Sequence, residues 1–269
     1  MKEMLICLIK TYTSVKRRLR NLVLQTNTGY RFTLKKQYGV DGPRGYPNAP
    51  WENAVLKTRK EQESAIEQVK KIGLPESEDL SKTWDSLAAL DCILRRTNKA
   101  AQIFDAGAEL YSVILPWLFL YGYKNLWGTN LVFESRIRRG PILYEYGDIT
   151  KTRFKENTFD AISCLSVIEH GVELRPYFKE MSRILKPNGV LITSTDYYET
   201  EVDTRAQEAY GVPIHVFTKE EIMAALDIAK GFGLELTGPI DLRCKEKVIH
   251  WKKFGLDYTF IIFTLCKVH

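Results

Sequence analysis

After Thr97 the chain alternates short runs rich in β-branched and aromatic residues with helical segments. That alternation restricts it to an α/β fold built on a mostly parallel sheet. The expected strands are AQIFDA (101–106), KNLWGTN (124–130), ILYEYGD (142–148), FDAISCLSV (159–167), GVLITSTD (189–196), GLELTGPIDL (233–242) and DYTFIIFTLCK (257–267). Helices are expected between them at 112–121, 174–185 and 218–230, the last opened by Thr218 with Glu221 completing a capping box. Sheets of this kind bind ligands outside the carboxyl ends of their strands, where the strand order reverses.

The chain ahead of this region reads differently. Leu5, Leu8, Ile9, Tyr12, Val15, Leu19, Leu22 and Val23 recur near helical spacing over residues 1–24. The glycines and prolines of YGVDGPRGYPNAPW (38–51) mark an irregular connection. A charged helix is expected over 52–72, ended by Gly73 and Pro75, and another over 81–96 with Ser81 as its cap. The organisation expected is a basic, mainly helical extension over 1–80 followed by an α/β domain over 81–269. Residues 1–60 carry 13 Lys and Arg against 3 Asp and Glu, whereas the rest carries 26 against 30, within an overall net charge of +6. A basic head of this kind suits an anionic partner or a solvated helix face.

Composition narrows the class. A hydrophobic content of 45% fits a globular protein with a sizeable core. The longest apolar run, SVILPWLFLYGY at 112–123, is shorter than the roughly 20 residues that span a bilayer. Met4–Ile9 is too short for a secretory h-region, so a cytoplasmic location is expected. Five widely spaced cysteines without a C-x-x-C pair argue against a disulfide or metal framework, and Cys164 reads as a small buried hydrophobe.

Polar residues gather at the expected strand ends: Asp105 and Gly107, Asn130, Asp148, Glu169 with His170, and Asp196. The first of these loops, IFDAGAELYSV, begins like a phosphate-binding turn but places Glu109 and Tyr111 where further glycines would stand. A carboxylate there repels a pyrophosphate and admits a cationic ligand, or caps the helix that follows.

The block FDAISCLSVIEHGVELRPYFKEMSRILKPNGVLITSTD pairs a Phe-Asp strand opening with Glu-His, an amphipathic helix and a Lys186-Pro187-Asn188-Gly189 turn. With the motif order over residues 84–268 it resembles the class I S-adenosylmethionine-dependent methyltransferases. The resemblance implies a Rossmann-like seven-stranded sheet, mostly parallel with an antiparallel last strand and helices on both faces. It implies S-adenosylmethionine as cofactor, with Asp105, Gly107 and Glu109 near its methionine end. Asn130 stands where the family offers an acid to the ribose, Asp148 where it contacts the adenine amino group, and Ser166 at the end of strand four. No metal is implied.

Candidate proton acceptors are His170, Asp196 and His215, with Tyr197 and Tyr198 as either an aromatic wall or core packing. The aromatic Asn/Asp-Pro-Pro-aromatic signature of nucleic-acid amino-methyltransferases is absent, which favours a small-molecule acceptor methylated at oxygen. The alternatives are an RNA or protein methyltransferase guided by the basic head, and a non-catalytic binding module.

Overall fold

The structure, a computed structural model, describes residues 20–268, so most of the expected 1–24 helix lies outside the described residues. The first long helix, α1 (Asn27–Tyr38), starts at Thr26, whose side chain accepts from the Gly29 amide, and stops at Gly39, which takes the left-handed conformation at φ 69°. The two-residue strand β1 (Ala54–Val55) follows the irregular 38–51 segment. It delays the second helix, α2 (Arg59–Ile72), to a start capped by Thr58 rather than Glu52. Ser81 is not a helix cap. It lies inside a short 3-10 turn (Leu80–Lys82) capped by Asp79, and α3 (Thr83–Arg96) continues from that turn.

From there the elements are β2 (Gln102–Ala106), α4 (Ile114–Leu120), β3 (Asn125–Asn130), β4 (Ile137–Arg139), β5 (Ile142–Tyr146), β6 (Phe159–Leu165), α5 (Leu174–Ile184) and β7 (Leu185–Tyr197). They are followed by the hairpin β8 (Glu208–Ala209) and β9 (Val212–Pro213), α6 (Lys219–Lys230), β10 (Leu234–Leu236), β11 (Ile249–Trp251) and β12 (Leu256–Lys267). The strands β5-β3-β2-β6-β7 run parallel in that spatial order, and β12 lies antiparallel beside β7. The chain proceeds from β2 outward through β3 to β5, then returns to place β6 on the other side of β2, so β2 and β6 flank the switch point.

Two strands are too short for a sequence pattern to reveal: β1, which with β10 pairs along β12, and β11, which closes a hairpin with the first residues of β12. β10 occupies only three of the ten positions expected for it.

Because successive strand residues face opposite ways, neighbours divide between two cores. Ile103, Ile192 and Ile262 pack with Tyr30, Val69, Leu87 and Trp117. Phe104, Leu191 and Ile261 pack with Tyr177, Phe178, Ile222 and Ala225. Both faces of the sheet are covered, as a parallel sheet requires. Each fully buried side chain of the size of Phe178 or Met181 contributes about 1.5–3 kcal/mol of transfer free energy. Residues on either side of position 80 share the first core, so the extension packs as part of the same body.

The Phe-Asp and Lys-Pro-Asn-Gly motifs have a joint structural role. Asp160 accepts two hydrogen bonds from the Lys186 ammonium, at 2.8 and 2.9 Å, and one from the Gln102 amide at 2.8 Å, tying β7 and β2 to β6. The expected turn at 186–189 is an irregularity inside the long strand β7. Leu185 pairs with Phe159 and Val190 with Ala161, and Asn188 takes a positive φ of 64° to absorb the extra residues.

Among the described residues no helix is long and apolar enough to cross a membrane. At α6 the expected capping box is present in full, Thr218 and Glu221 exchanging side-chain and backbone bonds. Thr218→Ala is expected to cost about 1 kcal/mol, read as a fall in Tm of about 2–4 °C by circular dichroism.

Candidate active site

A cavity of about 980 Å³ opens at the carboxyl ends of the parallel strands, over the switch point. It is lined by Gly107, Glu109, Asn130, Asp148, Ser166, Glu169, His170 and Asp196, which belong to different loops and converge only because their strands are parallel. A smaller cavity of about 100 Å³ adjoins it and is lined by Asp105.

Gly107 is required by its geometry. Its φ of 88° suits only glycine, and a Cβ there would lie 2.4 Å from a methyl of Val167. The Asn130 side chain holds this loop, donating to the Gly107 carbonyl at 3.0 Å and accepting from the Val132 amide at 3.2 Å. The amide expected to meet a ribose is therefore engaged in positioning the loop.

Glu109 does not cap a helix, because α4 begins only at Ile114; instead its backbone N–H donates to Ser112 Oγ at 3.0 Å. Its carboxyl lines the cavity, and partial burial moves its pKa upward. Tyr111 turns outward along the cavity wall, 55% exposed. Asp148 accepts from the Thr150 amide and hydroxyl through Oδ1, at 2.8 and 2.7 Å. Ser166 adopts a φ of 53°, unusual for a serine, and its buried hydroxyl has no partner. A strained backbone beside an orphaned polar atom at a strand end marks a ligand position.

Asp105 lies beneath this surface. It is buried, accepts from Ser163 Oγ at 2.8 Å, and burial pushes its pKa up to about 7. It lines the smaller, adjoining cavity rather than the larger, and its bond from Ser163 ties β2 to β6.

The deepest part of the large cavity holds an ionic cluster. Lys82 Nζ stands 3.9 Å from Asp196 Oδ1 and 4.1 Å from the centre of the Phe260 ring. Burial works against its charge, but Asp196, Glu169, Asp85 and Asp79 together hold its pKa above the ordinary lysine value. Glu169 accepts from Thr195 Oγ1 at 3.0 Å, and Asp85 accepts from Ser194 Oγ at 2.6 Å. Burial raises the pKa of Asp196 to about 7, the Glu169 charge adding to it and Lys82 opposing it. Glu169 is likewise raised by burial, and Asp85 in the same direction. Asp196 Oδ1 is buried and has no hydrogen-bond partner, although its carboxyl lines the cavity.

His170 sits at the rim, its pKa lowered by burial, with the Tyr210 ring edge-on at 5.1 Å. His215 does not reach the cavity: its Nε2 lies 3.3 Å from Glu221, at the start of α6, and its ring packs on Phe217. Neither tyrosine after Asp196 forms a wall. Tyr197 is fully buried and donates to the Leu242 carbonyl at 2.8 Å, and Tyr198 lies under Lys247. The aromatic wall comes instead from Tyr210, Trp251 and Tyr258, on two hairpins that sequence periodicity did not register. Lys82 was also missed. The spacing of Lys82 and Asp85, three residues apart, was the available signal, and on a helix it ordinarily reads as a solvated ion pair.

The fold defines a doubly wound α/β domain with its ligand cavity at the switch point. Comparison with known proteins narrows that class. The family profile described as "Methyltransferase domain" matches residues 114–193. The sterol 24-C-methyltransferase of Aspergillus fumigatus is 27% identical over 111 residues, covering 39% of this chain and 29% of that protein. Its counterpart in Debaryomyces hansenii is 29% identical over 114 residues, covering 39% and 29%. The chain thus aligns with under a third of the length of these curated relatives. In fold it resembles the 1,6-didemethyltoxoflavin-N1-methyltransferase of Burkholderia thailandensis, solved with S-adenosylhomocysteine, at a TM-score of 0.51 and 15% identity over 78% of this chain and 87% of that one. Residues 114–193 carry the match to the methyltransferase-domain family, and the chain has the Rossmann-like fold of the class I S-adenosylmethionine-dependent methyltransferases.

Asp105 gives a test of the buried electrostatics. Its folded pKa of about 7 exceeds the unfolded value of about 3.9, so the folded state binds the extra proton. Its contribution to stability is present in acid and is lost as pH rises through about 7. Asp105→Asn is expected to raise Tm at pH 8 relative to the parent protein, the gap closing below about pH 4 where both states are protonated. A thermal melt series over that range checks it.

Proposed function

We propose that the protein transfers a methyl group from S-adenosylmethionine to an oxygen of a small-molecule acceptor, with Asp196 as the proton acceptor. The observation carrying this reading is the Asp196 carboxyl, which lines the large cavity beside the Lys82 ammonium and has its pKa raised by burial to about 7.

The residues around the switch point fit the cofactor. Gly107 makes a concave loop that a Cβ would fill, Ser166 leaves an orphaned hydroxyl, and Glu109 and Asp148 supply carboxylates and no phosphate-binding glycine run. Glu109 would attract the cationic methionine end, and Asp148, whose two bonds from Thr150 both fall on Oδ1, would accept from the adenine amino group. When bound, the cofactor supplies an electrophilic methyl on a sulfonium.

The chain's own task is then to orient the acceptor and to take its proton. A carboxyl whose pKa is raised toward neutrality is a stronger base than an exposed aspartate, and its unprotonated form dominates above about pH 7. Lys82, beside it, keeps the carboxylate accessible by opposing the effect of burial. His170, uncharged at neutral pH because burial lowers its pKa, stands at the rim where it can relay the proton outward. Val212, Val248, Ile249 and Trp251 form the rest of the wall and exclude water from an acceptor with apolar surface.

A second reading is transfer to carbon. It is favoured by the curated relatives, which are named for methylation at a sterol carbon, and by the same apolar wall. Incubating the protein with methyl-labelled cofactor and a metabolite extract, then recording the carbon chemical shift of the labelled product, separates oxygen from carbon attachment. Methylation of RNA or protein in place of any small molecule would overturn both readings.

Two outcomes are expected. In calorimetry the protein binds S-adenosylmethionine and not NAD, and Gly107→Ala weakens that binding at least tenfold, about 1.4 kcal/mol. No heat with millimolar S-adenosylmethionine would leave a non-catalytic binding module. Asp196→Asn is expected to lower the rate of methyl transfer by about 10²–10⁴-fold. It should leave cofactor affinity nearly unchanged and remove the limb of the pH–rate profile near 7.

A further inference from the structure

The outer face of α1 carries a pattern that the catalytic reading does not use. Its inner face is fixed by Tyr30 and Leu34, which are buried, with Tyr30 stacked on Phe119 at 5.4 Å. At 3.6 residues per turn the opposite face presents Phe32, Lys35 and Lys36, and Phe32 is 64% exposed between the two lysines. One turn upstream, Leu22 and Val23 are 59% and 50% exposed, and Val23 lies against Gly29, which holds that segment to the start of α1.

The charge on this face is mainly positive. From residue 4 to residue 40 the sequence contains no Asp or Glu. Strand β4, joined to this segment by the Gly140 amide donating to the Leu24 carbonyl at 2.8 Å, brings Arg139 near Arg20 and the inner Tyr30. Arg20 and Arg139 repel each other there, and burial with that repulsion lowers the Arg139 pKa. Lys35 pairs with Asp41, but both side chains are mostly exposed and such pairs hold weakly.

We propose that this face docks the protein on an anionic lipid surface. Phe32, Leu22 and Val23 enter the boundary between headgroups and acyl chains, while Arg20, Lys35 and Lys36 meet the lipid phosphates. Charge complementarity selects an anionic partner, and the exposed aliphatic side chains select lipid over nucleic acid. A single-stranded nucleic acid rewards several flat aromatic platforms, whereas Phe32 is the one exposed aromatic residue of α1. An interfacial helix instead combines cations with Phe and Leu in this way.

The experiment is co-sedimentation of the full chain with vesicles of phosphatidylcholine alone, and with vesicles of equal parts phosphatidylcholine and phosphatidylglycerol, at low and high salt. Retention is expected on the anionic vesicles only, weakening with salt. Lys35→Gln and Lys36→Gln should each lower the partition coefficient about fivefold. Phe32→Ala should lower it further, with the circular dichroism spectrum unchanged because the side chain is exposed. Failure to sediment with either vesicle, or retention indifferent to phosphatidylglycerol or to these substitutions, would overturn the proposal. So would binding of single-stranded RNA that these substitutions abolish while vesicle binding persists.

Discussion

One ammonium placed among buried carboxyls organises this molecule. Lys82 enters from the 3-10 turn ahead of α3 and meets Asp196 at the end of β7, Glu169 beyond β6, and Asp85 one turn along its own helix. Without it three acids would share a low-dielectric space with no counter-charge, a condition that ordinarily forces carboxyls to stay neutral. With it the cluster keeps a proton inventory close to balance at neutral pH. The turn that opens the α/β domain is thereby part of the cavity lining.

Much of this architecture is written in local patterns. The parallel strands announce themselves because each is a run of apolar and β-branched residues with a polar residue at its carboxyl end. Asp105, Asn130, Asp148 and Asp196 therefore fall at one edge of the sheet as expected. Thr218 and Glu221 mark the start of α6 for an equally local reason. The failures have a common physical origin. Strands of two or three residues such as β1, β8 and β11 owe their existence to a partner far along the chain, and no periodicity develops in so short a span. Ser81 loses its role as cap to Asp79, since the 3-10 turn places a better acceptor two residues earlier.

The candidate site was legible as a set of strand-end residues and illegible as a mechanism. Which of those residues face open space depends on contacts that are distant in sequence. Asn130 is engaged by Gly107, Asp105 by Ser163, and Tyr197 by Leu242, so each is drawn into the framework. Asp196 lines the large cavity, its Oδ1 without a hydrogen bond and 3.9 Å from the Lys82 ammonium. The distinction between a carboxyl drawn into the framework and one that lines the cavity is therefore a matter of tertiary packing, which the residue type alone does not carry.

The small strand β1 has a consequence in time as well as in space. Ala54 and Val55 pair with Ile262 and Ile261, and Leu56 accepts a hydrogen bond from Thr259, 203 residues further on. During synthesis this early segment emerges long before its partner exists, and closing so large a loop is slow. The nascent chain carries Leu56 and its neighbours without these partners until β12 is made, and β12 also brings Phe260 beneath Lys82. The floor beneath Lys82 is thus complete only in a chain that already contains β12.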